Sequence, residues 1–161
     1  MTTYFHKCTD PLIRITDDAR AYTRPQAKSV WGGGAIFLDR DGTIIVEKNY
    51  LREIEDLKLL PGAVPGLKKL GATGMPLYLL TNQAGIAHGY FDENRVDAIH
   101  RYLIDLLATA GIHFRGVLYC PHHPQAEVAA YRTDCFCRKP KPGLLLHAAY
   151  LDSIDLSRSF V

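Results

Sequence analysis

The chain has 161 residues, a length typical of one globular domain. A hydrophobic share of 47% argues against intrinsic disorder, and a formal net charge of +2 argues against a nucleic-acid-binding surface. No apolar run reaches membrane-spanning length, and the N-terminus lacks the apolar core of a signal peptide. We therefore expect a cytoplasmic monomer that has neither a nucleic-acid nor a membrane partner.

The predicted elements begin with an N-terminal extension, residues 1–34. Residues 12–15 have the composition of a short strand, but prolines and a run of three glycines interrupt the rest. Residues 35–38 are an unbroken apolar run, typical of a strand buried on both faces of a parallel sheet. We therefore divide the chain into an extension, 1–34, and a folded domain, 35–161.

Helices and strands alternate through the rest of the chain. The clearest helix is capped by Asp92, and its apolar side chains at Val96, Ile99, Leu103 and Leu107 follow helical spacing. Alternation of this kind indicates right-handed βαβ units, and hence an α/β domain with a parallel sheet and helices on both faces. The predicted helices are 63–70, 93–110 and 144–151; the further strands are 77–80, 117–119 and the beginning of a strand at 157–161.

Polar side chains stand where the first two predicted strands end. Asp39 and Asp41 follow the first strand, and Thr81 and Asn82 follow the second. The carboxyl ends of parallel strands meet at one edge of the sheet, where ligands bind in open α/β folds, so we expect these residues to lie together. Two carboxylates at such an edge are candidates for chemistry. The alternative is a set of polar turns that hydrogen-bond their own backbone.

A cysteine-rich loop follows the third predicted strand. Cys120-x-His122 and Cys135-x-Cys137 offer four soft or borderline ligands, the number that a closed tetrahedral zinc site takes. In a cytosolic protein such a grouping favours a metal over a disulfide, and the full ligand set indicates a structural role. His123 is an alternative to His122, and reduced cysteines beside exposed histidines are the alternative to a metal.

A compact cationic segment, Arg138-Lys139 with Lys141, comes directly after this loop, with prolines among its residues. A solvated basic turn is its simplest interpretation. The prolines on both sides of it suggest a held geometry instead.

Taken in order, these motifs resemble those of the haloacid dehalogenase superfamily of phosphatases. Residues 39–43 (Asp-Arg-Asp-Gly-Thr) resemble its first motif, 81–83 (Thr-Asn-Gln) its second and 138–140 (Arg-Lys-Pro) its third. A closer resemblance is to the heptose 1,7-bisphosphate 7-phosphatases and the related histidinol-phosphatase domains, whose cysteine-rich loop has a Cys-x-His pattern that favours His122. The resemblance implies a Rossmann-like fold with a zinc-stapled loop and no large cap domain.

The resemblance also implies roles for individual residues. Asp39 would be the nucleophile that forms an aspartyl-phosphate, and Asp41 would protonate the leaving group and then activate water. Lys139 would stabilise the transferring phosphoryl group, and Arg138 would bind a second phosphate. For residues 47–50, an exposed polar turn is the alternative to substrate contact. The implied substrate-binding residues are Thr81, Asn82, Gln83, Arg138, Lys139, Glu47, Lys48, Asn49 and Tyr50; the implied ligands are Asp39 and Asp41 for Mg²⁺, and Cys120, His122, Cys135 and Cys137 for a structural Zn²⁺.

The function implied is that of a Mg²⁺-dependent phosphatase acting on a small phosphorylated sugar. D-glycero-D-manno-heptose 1,7-bisphosphate, dephosphorylated at the 7-phosphate in the lipopolysaccharide-precursor pathway, is the expected substrate. One alternative is a histidinol-phosphate phosphatase, and another is a truncated, non-catalytic zinc-stabilised binding domain. The latter arises because the family's fourth motif, a Gly-Asp pair that supplies a further carboxylate to Mg²⁺, should follow residues 159–161. We therefore expect the C-terminal part of the domain to be missing.

Overall fold

The computed structural model describes residues 3–7 and 32–161. The predicted strand at 12–15 lies outside these residues. In the described ranges, three short 3-10 helices accompany the main elements, at Ile54–Asp56, Ala129–Tyr131 and Leu156–Arg158. The strands are β1 (Tyr4–Lys7), β2 (Ile36–Leu38), β3 (Leu77–Asn82) and β4 (Phe114–Cys120), and the helices are α1 (Ala63–Gly71), α2 (Glu93–Thr109) and α3 (Gly143–Asp152).

The strands form a four-stranded parallel sheet in the order β1-β4-β3-β2. Beyond β2, the N–H of Phe37 donates to the carbonyl of Phe160 at 2.8 Å, and the N–H of Phe160 donates to the carbonyl of Ala35 at 2.9 Å. Of the strand predicted to begin at 157–161, only an isolated parallel bridge between Ile36 and Phe160 is observed, because residues 157 and 158 belong to the last 3-10 helix. The prediction of a parallel α/β sheet is confirmed.

The N-terminal extension supplies an edge strand that the sequence did not indicate. Tyr4 of β1 lies opposite Gly116 of β4, and Lys7 lies opposite Tyr119. The Lys7 ammonium pairs with the carboxylate of Glu93, the first residue of α2. Four residues are too few to show strand periodicity, because the pairing depends on the distant edge of β4 rather than on local pattern.

Side chains alternate between the two faces of the sheet, as a strand requires. Leu77 and Leu79 pack into one cluster with the apolar faces of α1 and α2. Tyr78 and Leu80 point to the other face, where they pack with α3. The predicted arrangement, with helices on both faces of a buried sheet, is therefore observed. Asp92 caps α2 as predicted, since its Oδ1 accepts from the N–H of Arg95 at 2.9 Å.

The start of α3 is packed against the cysteine-rich loop. A Cβ built on Gly143 would lie 2.7 Å from the Cα of Cys137 and 2.7 Å from the carbonyl oxygen of Phe136. Only glycine permits this approach of two backbones. The helix thereby fixes the loop that leads to Arg138 and Lys139.

Across residues 3–7 and 32–161, no helix combines the length and the apolar character that crossing a membrane would need.

Candidate active site

A cleft of about 330 Å³ lies where β2 and β3 end. Segments that are far apart in the sequence meet here, as expected for the carboxyl edge of a parallel sheet. The cleft brings together both predicted catalytic acids and every predicted substrate-binding residue. The lining includes Asp39, Asp41, Glu47, Lys48, Asn49, Tyr50, Thr81, Asn82, Gln83, Arg138 and Lys139.

Asp39 presents its carboxylate to the open cleft. Its Oδ1 accepts from the backbone N–H of Arg40 at 2.7 Å, and its Oδ2 lies 2.6 Å from the Lys139 ammonium. The same ammonium donates to the carbonyl of Leu80 at 2.9 Å. Because 44% of the Asp39 side chain remains exposed, a ligand can reach it. The arrangement suits a nucleophile held beside a fixed positive charge.

Asn82 anchors the segment that carries this lysine. Its Nδ2 donates to the carbonyl of Lys139 at 3.2 Å, while its Oδ1 accepts from the N–H of Lys139 at 3.0 Å. The neighbouring Arg138 donates from Nη1 to the carbonyl of His122 at 3.1 Å. The two basic residues are therefore tied to the end of β3 and to the cysteine-rich loop, which sets their position over the cleft.

Asp41 lies in a network of side-chain donors beneath the cleft. Arg40 donates to it from Nε, at 3.2 and 3.1 Å to the two carboxylate oxygens, and from Nη2, at 3.0 Å to Oδ1. Gln83 Nε2 donates to Oδ2 at 3.1 Å, and the Thr81 hydroxyl lies 3.4 Å from the same oxygen. Arg40, Thr81 and Gln83 are all buried. The carboxylate is thus fixed in orientation by groups that have little freedom to move.

His100 of α2 lies behind Arg40 and is fully buried. Its Nε2 is 3.1 Å from Arg40 Nη1, and an arginine can only donate, so Nε2 must accept and the imidazole must be neutral. Burial first, and then the adjacent guanidinium, hold the pKa of His100 well below its usual range. The ring edge also meets Tyr119 of β4, with centroids 5.4 Å apart.

A third acid, Glu47, lines the cleft near the two aspartates. Its pKa is raised above the ordinary value, first by partial burial and then by the negative charge of Asp41, with Asp39 contributing further. Carboxylate oxygens are the ligands that Mg²⁺ prefers, and three carboxyl groups line this cleft. A cation among them would offset their mutual repulsion. The residues present therefore fit a magnesium site.

An aromatic cluster surrounds Tyr50, which lines the cleft. Tyr50 meets Tyr90 edge to face, with centroids 4.8 Å apart, and His88 stacks on Tyr90 at 5.7 Å. The guanidinium of Arg52 lies 4.7 Å above the Tyr90 ring. His88 also pairs with Glu127 at 2.5 Å. This cluster connects the 47–52 segment to the loop that follows β4.

The cysteine-rich loop brings three of its four predicted ligands together. The ligand atoms of Cys120, His122 and Cys135 all lie within 4.8 Å of one another. Cys137 is not a member of that group in the described part of the chain, but its N–H donates to Cys135 Sγ at 3.3 Å. His123 is directed elsewhere, accepting at Nδ1 from the N–H of Gln125 at 3.1 Å. The geometry favours His122 over His123, and it is compatible with a soft metal ion.

Comparison with known proteins agrees with this geometry. The chain is 43% identical over 127 residues to a D-glycero-β-D-manno-heptose-1,7-bisphosphate 7-phosphatase of Photorhabdus laumondii, covering 79% of this chain and 68% of that protein. It is 42% identical over 135 residues to the enzyme of the same name from Escherichia coli K12, covering 84% and 69%. The chain belongs to this phosphatase family. The resemblance inferred from the motifs is thereby confirmed, although no protein-family model matches the chain.

Solved structures of phosphatases share the fold. A HAD-like phosphatase from Mesorhizobium loti superposes with a TM-score of 0.76 at 34% identity, covering 84% of this chain and 66% of that one. The D,D-heptose 1,7-bisphosphate phosphatase of B. bronchiseptica, solved with magnesium and phosphate, superposes with a TM-score of 0.63 at 32% identity, covering 72% and 62%. This chain therefore spans a little under two thirds of each of these structures.

Two residues of the network, Arg40 and His100, were not predicted from the sequence. His100 is buried on the inner face of α2. The signal was available, because His100 stands among Val96, Ile99 and Leu103 on the apolar stripe of the helix, where a polar side chain must find a buried partner. The sequence did not show that Arg40 is this partner, because sixty residues separate His100 from Arg40.

Proposed function

We propose that the protein is a Mg²⁺-dependent phosphatase that removes the 7-phosphate of D-glycero-β-D-manno-heptose 1,7-bisphosphate, acting as a cytoplasmic monomer. The observation that carries the proposal is the meeting of Asp39, Asp41 and Lys139 in one cleft. A carboxylate nucleophile, a second carboxylate and a fixed cation are the groups that phosphoryl transfer requires. The choice of sugar rests on the names of the relatives.

In the proposed reaction, a carboxylate oxygen of Asp39 attacks the phosphorus of the 7-phosphate and the bond from phosphorus to O7 breaks. Asp41 gives its proton to the departing O7 alkoxide. Water then attacks the phosphorus of the aspartyl-phosphate, and Asp41 takes the proton of that water. The bond between Asp39 and phosphorus breaks, which releases inorganic phosphate and restores the Asp39 carboxylate, while Asp41 is again protonated for the next cycle.

The cationic groups of the cleft would stabilise the charge that develops on the phosphoryl oxygens. Lys139 is held for this role by Asn82 and by its contact with Asp39. The Asp39 side chain and the backbone carbonyl of Asp41 would hold Mg²⁺, with Glu47 close by. When bound, Mg²⁺ supplies positive charge that reduces the repulsion between the Asp39 carboxylate and the phosphate dianion.

We assign the second phosphate of the substrate to Arg138, which lines the cleft beside Lys139. A guanidinium can bind a phosphate with two parallel hydrogen bonds. The sugar would lie between this residue and Tyr50, which also lines the cleft. Aromatic rings suit the apolar C–H face of a sugar, and Lys48 and Asn49 add polar groups at the same side of the cleft.

We further propose that Cys120, His122, Cys135 and Cys137 bind a structural Zn²⁺. The loop from 121 to 142 contributes few buried apolar side chains, so a metal would supply the stability that a core does not. Metal analysis should find one zinc per chain in the wild type, and Cys135→Ser should lose both the zinc and thermal stability. Equal zinc content in the two proteins would contradict the assignment.

Phosphate release from two substrates, measured side by side, tests the proposed function. Heptose 1,7-bisphosphate should be hydrolysed with a kcat/KM at least about 100-fold above that for histidinol phosphate, because only the former has a second phosphate for Arg138. Preference for histidinol phosphate would favour the related activity. Phosphate release from neither substrate, in the presence of Mg²⁺, would favour a binding domain.

A further inference from the structure

The Arg40 guanidinium is an unusual group to find beneath a catalytic cleft. Its side chain is only 2% exposed, although the Asp41 carboxylate with which it pairs is 18% exposed. Burying a guanidinium costs several kcal/mol, and a single ion pair offsets that cost only when the geometry is excellent and further hydrogen bonds are made. The surroundings of Arg40 meet that condition.

Each partner of Arg40 faces a different part of the guanidinium. Nε and Nη2 donate to Asp41, Nη2 also donates to Gln83 Oε1 at 3.0 Å, and Nη1 lies 3.1 Å from His100 Nε2. These three acceptors come from the turn after β2, the end of β3 and the middle of α2. The guanidinium plane is therefore fixed by elements on three sides.

Arg40 also determines which way the Gln83 amide faces. Because Oε1 accepts from Arg40, Nε2 must point to the opposite side, where it donates to Asp41 Oδ2 at 3.1 Å and to the Thr81 hydroxyl at 2.9 Å. Arg40 thus contacts the Asp41 carboxylate directly and also orients a second donor to it. The catalytic nucleophile is separate from this network, since Asp39 is contacted by the backbone N–H of Arg40 and by Lys139.

From this arrangement we propose that Arg40 is a positioning residue for the acid–base carboxylate of Asp41, and that His100 holds the Arg40 guanidinium in place. The inference rests on the proposed phosphatase function. A carboxylate that must donate a proton to one oxygen and later accept one from water has to stay within hydrogen-bond reach of both. Two rotatable bonds would let Asp41 leave that position, and the donors of Arg40 and Gln83 prevent it.

A substrate whose leaving group needs no proton distinguishes this positioning role from a purely structural role. p-Nitrophenyl phosphate releases a stable phenolate, so formation of the aspartyl-phosphate does not need Asp41, whereas its hydrolysis does. In Arg40→Lys, kcat for heptose 1,7-bisphosphate should fall about 100-fold, with KM changed by less than about threefold. The same variant should release p-nitrophenolate in a rapid burst equal to the enzyme concentration, followed by slow turnover.

Variants at His100 give an independent measurement with less risk to folding. His100→Gln keeps an acceptor for Arg40 and should retain kcat for heptose 1,7-bisphosphate within about twofold. His100→Leu removes the acceptor and should lower this kcat about tenfold, while the p-nitrophenolate burst stays equal to the enzyme concentration. Arg101→Lys, at an exposed position next to His100 on α2, is the matched control. If Arg40→Lys does not fold, the comparison of His100→Gln with His100→Leu tests the proposal by the same measurements of burst and turnover.

The inference is overturned if Arg40→Lys, or His100→Leu in its place, lowers the amplitude of the p-nitrophenolate burst and the heptose turnover in equal proportion, or lowers neither. An equal loss is what a smaller fraction of folded protein would produce, and circular dichroism of each variant measures that fraction. A wild-type protein that releases phosphate from neither compound would instead refute the proposed function. The two failures are therefore distinguishable.

Discussion

At the scale of single residues, the site depends on two acids that are close in the sequence but have side chains facing different partners. Asp39 faces the open cleft and Lys139, whereas Asp41 faces Arg40 and Gln83. The turn that follows β2 makes this possible, because the Arg40 carbonyl accepts from the N–H groups of residues 43–45. Gly42 adopts a φ of +73°, which few other residues tolerate.

Lys139 should be more important for turnover than any other lysine of its segment. Lys139→Met removes the ammonium that lies against Asp39, so kcat should fall about 100-fold or more, as for other fixed donors to a transferring group. Lys141→Met is the control, since Lys141 pairs with Asp134 on the surface at 2.6 Å. Steady-state phosphate release measures both. Similar kcat values for the two variants would show that position 139 carries no special role.

At the scale of elements, local patterns predicted the long helix better than the strand ends. α2 was readable because apolar residues recur on one face at helical spacing and Asp92 caps it. β3 was predicted to stop at 80, but it continues through Thr81 and Asn82, which lie opposite Tyr119 and Cys120 of β4. Polar side chains suggested a loop there, and only the neighbouring strand supplies the backbone partners that extend the ladder.

The cysteine-rich loop shows another limit of sequence reasoning. The four predicted ligands were chosen by type and spacing, and spacing says nothing of where Cys137 Sγ points. The close contact between Gly143 and Cys137 was likewise not readable, because it joins a helix start to a loop that has no periodic pattern.

Gly143→Ala should destabilise the fold, whereas Gly66→Ala should stabilise it. The methyl group at 143 would overlap the backbone of Phe136 and Cys137, at a cost of about 1–3 kcal/mol in the free energy of unfolding. Gly66 lies in α1 with open space around its Cα, so alanine should add about 0.5–1 kcal/mol. Urea denaturation compares the two. A neutral Gly143→Ala variant would mean that α3 does not pack tightly on the loop.

At the scale of the whole molecule, the sheet joins distant segments into one site. Three of the motifs lie far apart in the sequence, at 39–43, 81–83 and 138–140. Residues of all three line one cleft, because parallel strands end at the same edge of the sheet. That convergence could be predicted from the sequence. The buried connection from Asp41 through Arg40 to His100 could not, since it depends on how α2 packs across the sheet.

This buried histidine should make folding stability depend on pH. In the unfolded chain the imidazole takes up a proton below about pH 6.5, whereas the folded protein keeps it neutral. The contribution of the neutral His100 to the free energy of unfolding is therefore complete above that pH. It is lost as pH falls below it, at about 1.4 kcal/mol per pH unit. Between about pH 6 and pH 5, wild type should lose about 1 kcal/mol more in its free energy of unfolding than His100→Gln.

Chemical denaturation across this pH range measures that difference. His113→Gln, at an exposed histidine just after α2, controls for the substitution itself. Parallel stability curves for wild type and His100→Gln would indicate that the folded protein also charges His100, contrary to its placement against Arg40.

Phosphate release from heptose 1,7-bisphosphate in the presence of Mg²⁺, by wild type and by Asp39→Asn, tests the central claim most directly. The nucleophile is lost in the variant, so its kcat should fall by about 10⁴-fold or more, while Asp105→Asn, at an exposed position on α2, should match wild type. Rapid acid quench and mass spectrometry should find phosphate on Asp39 in wild type and in Asp105→Asn, and none at position 39 of the Asp39→Asn variant. An Asp39→Asn protein that releases phosphate at the wild-type rate would contradict the account.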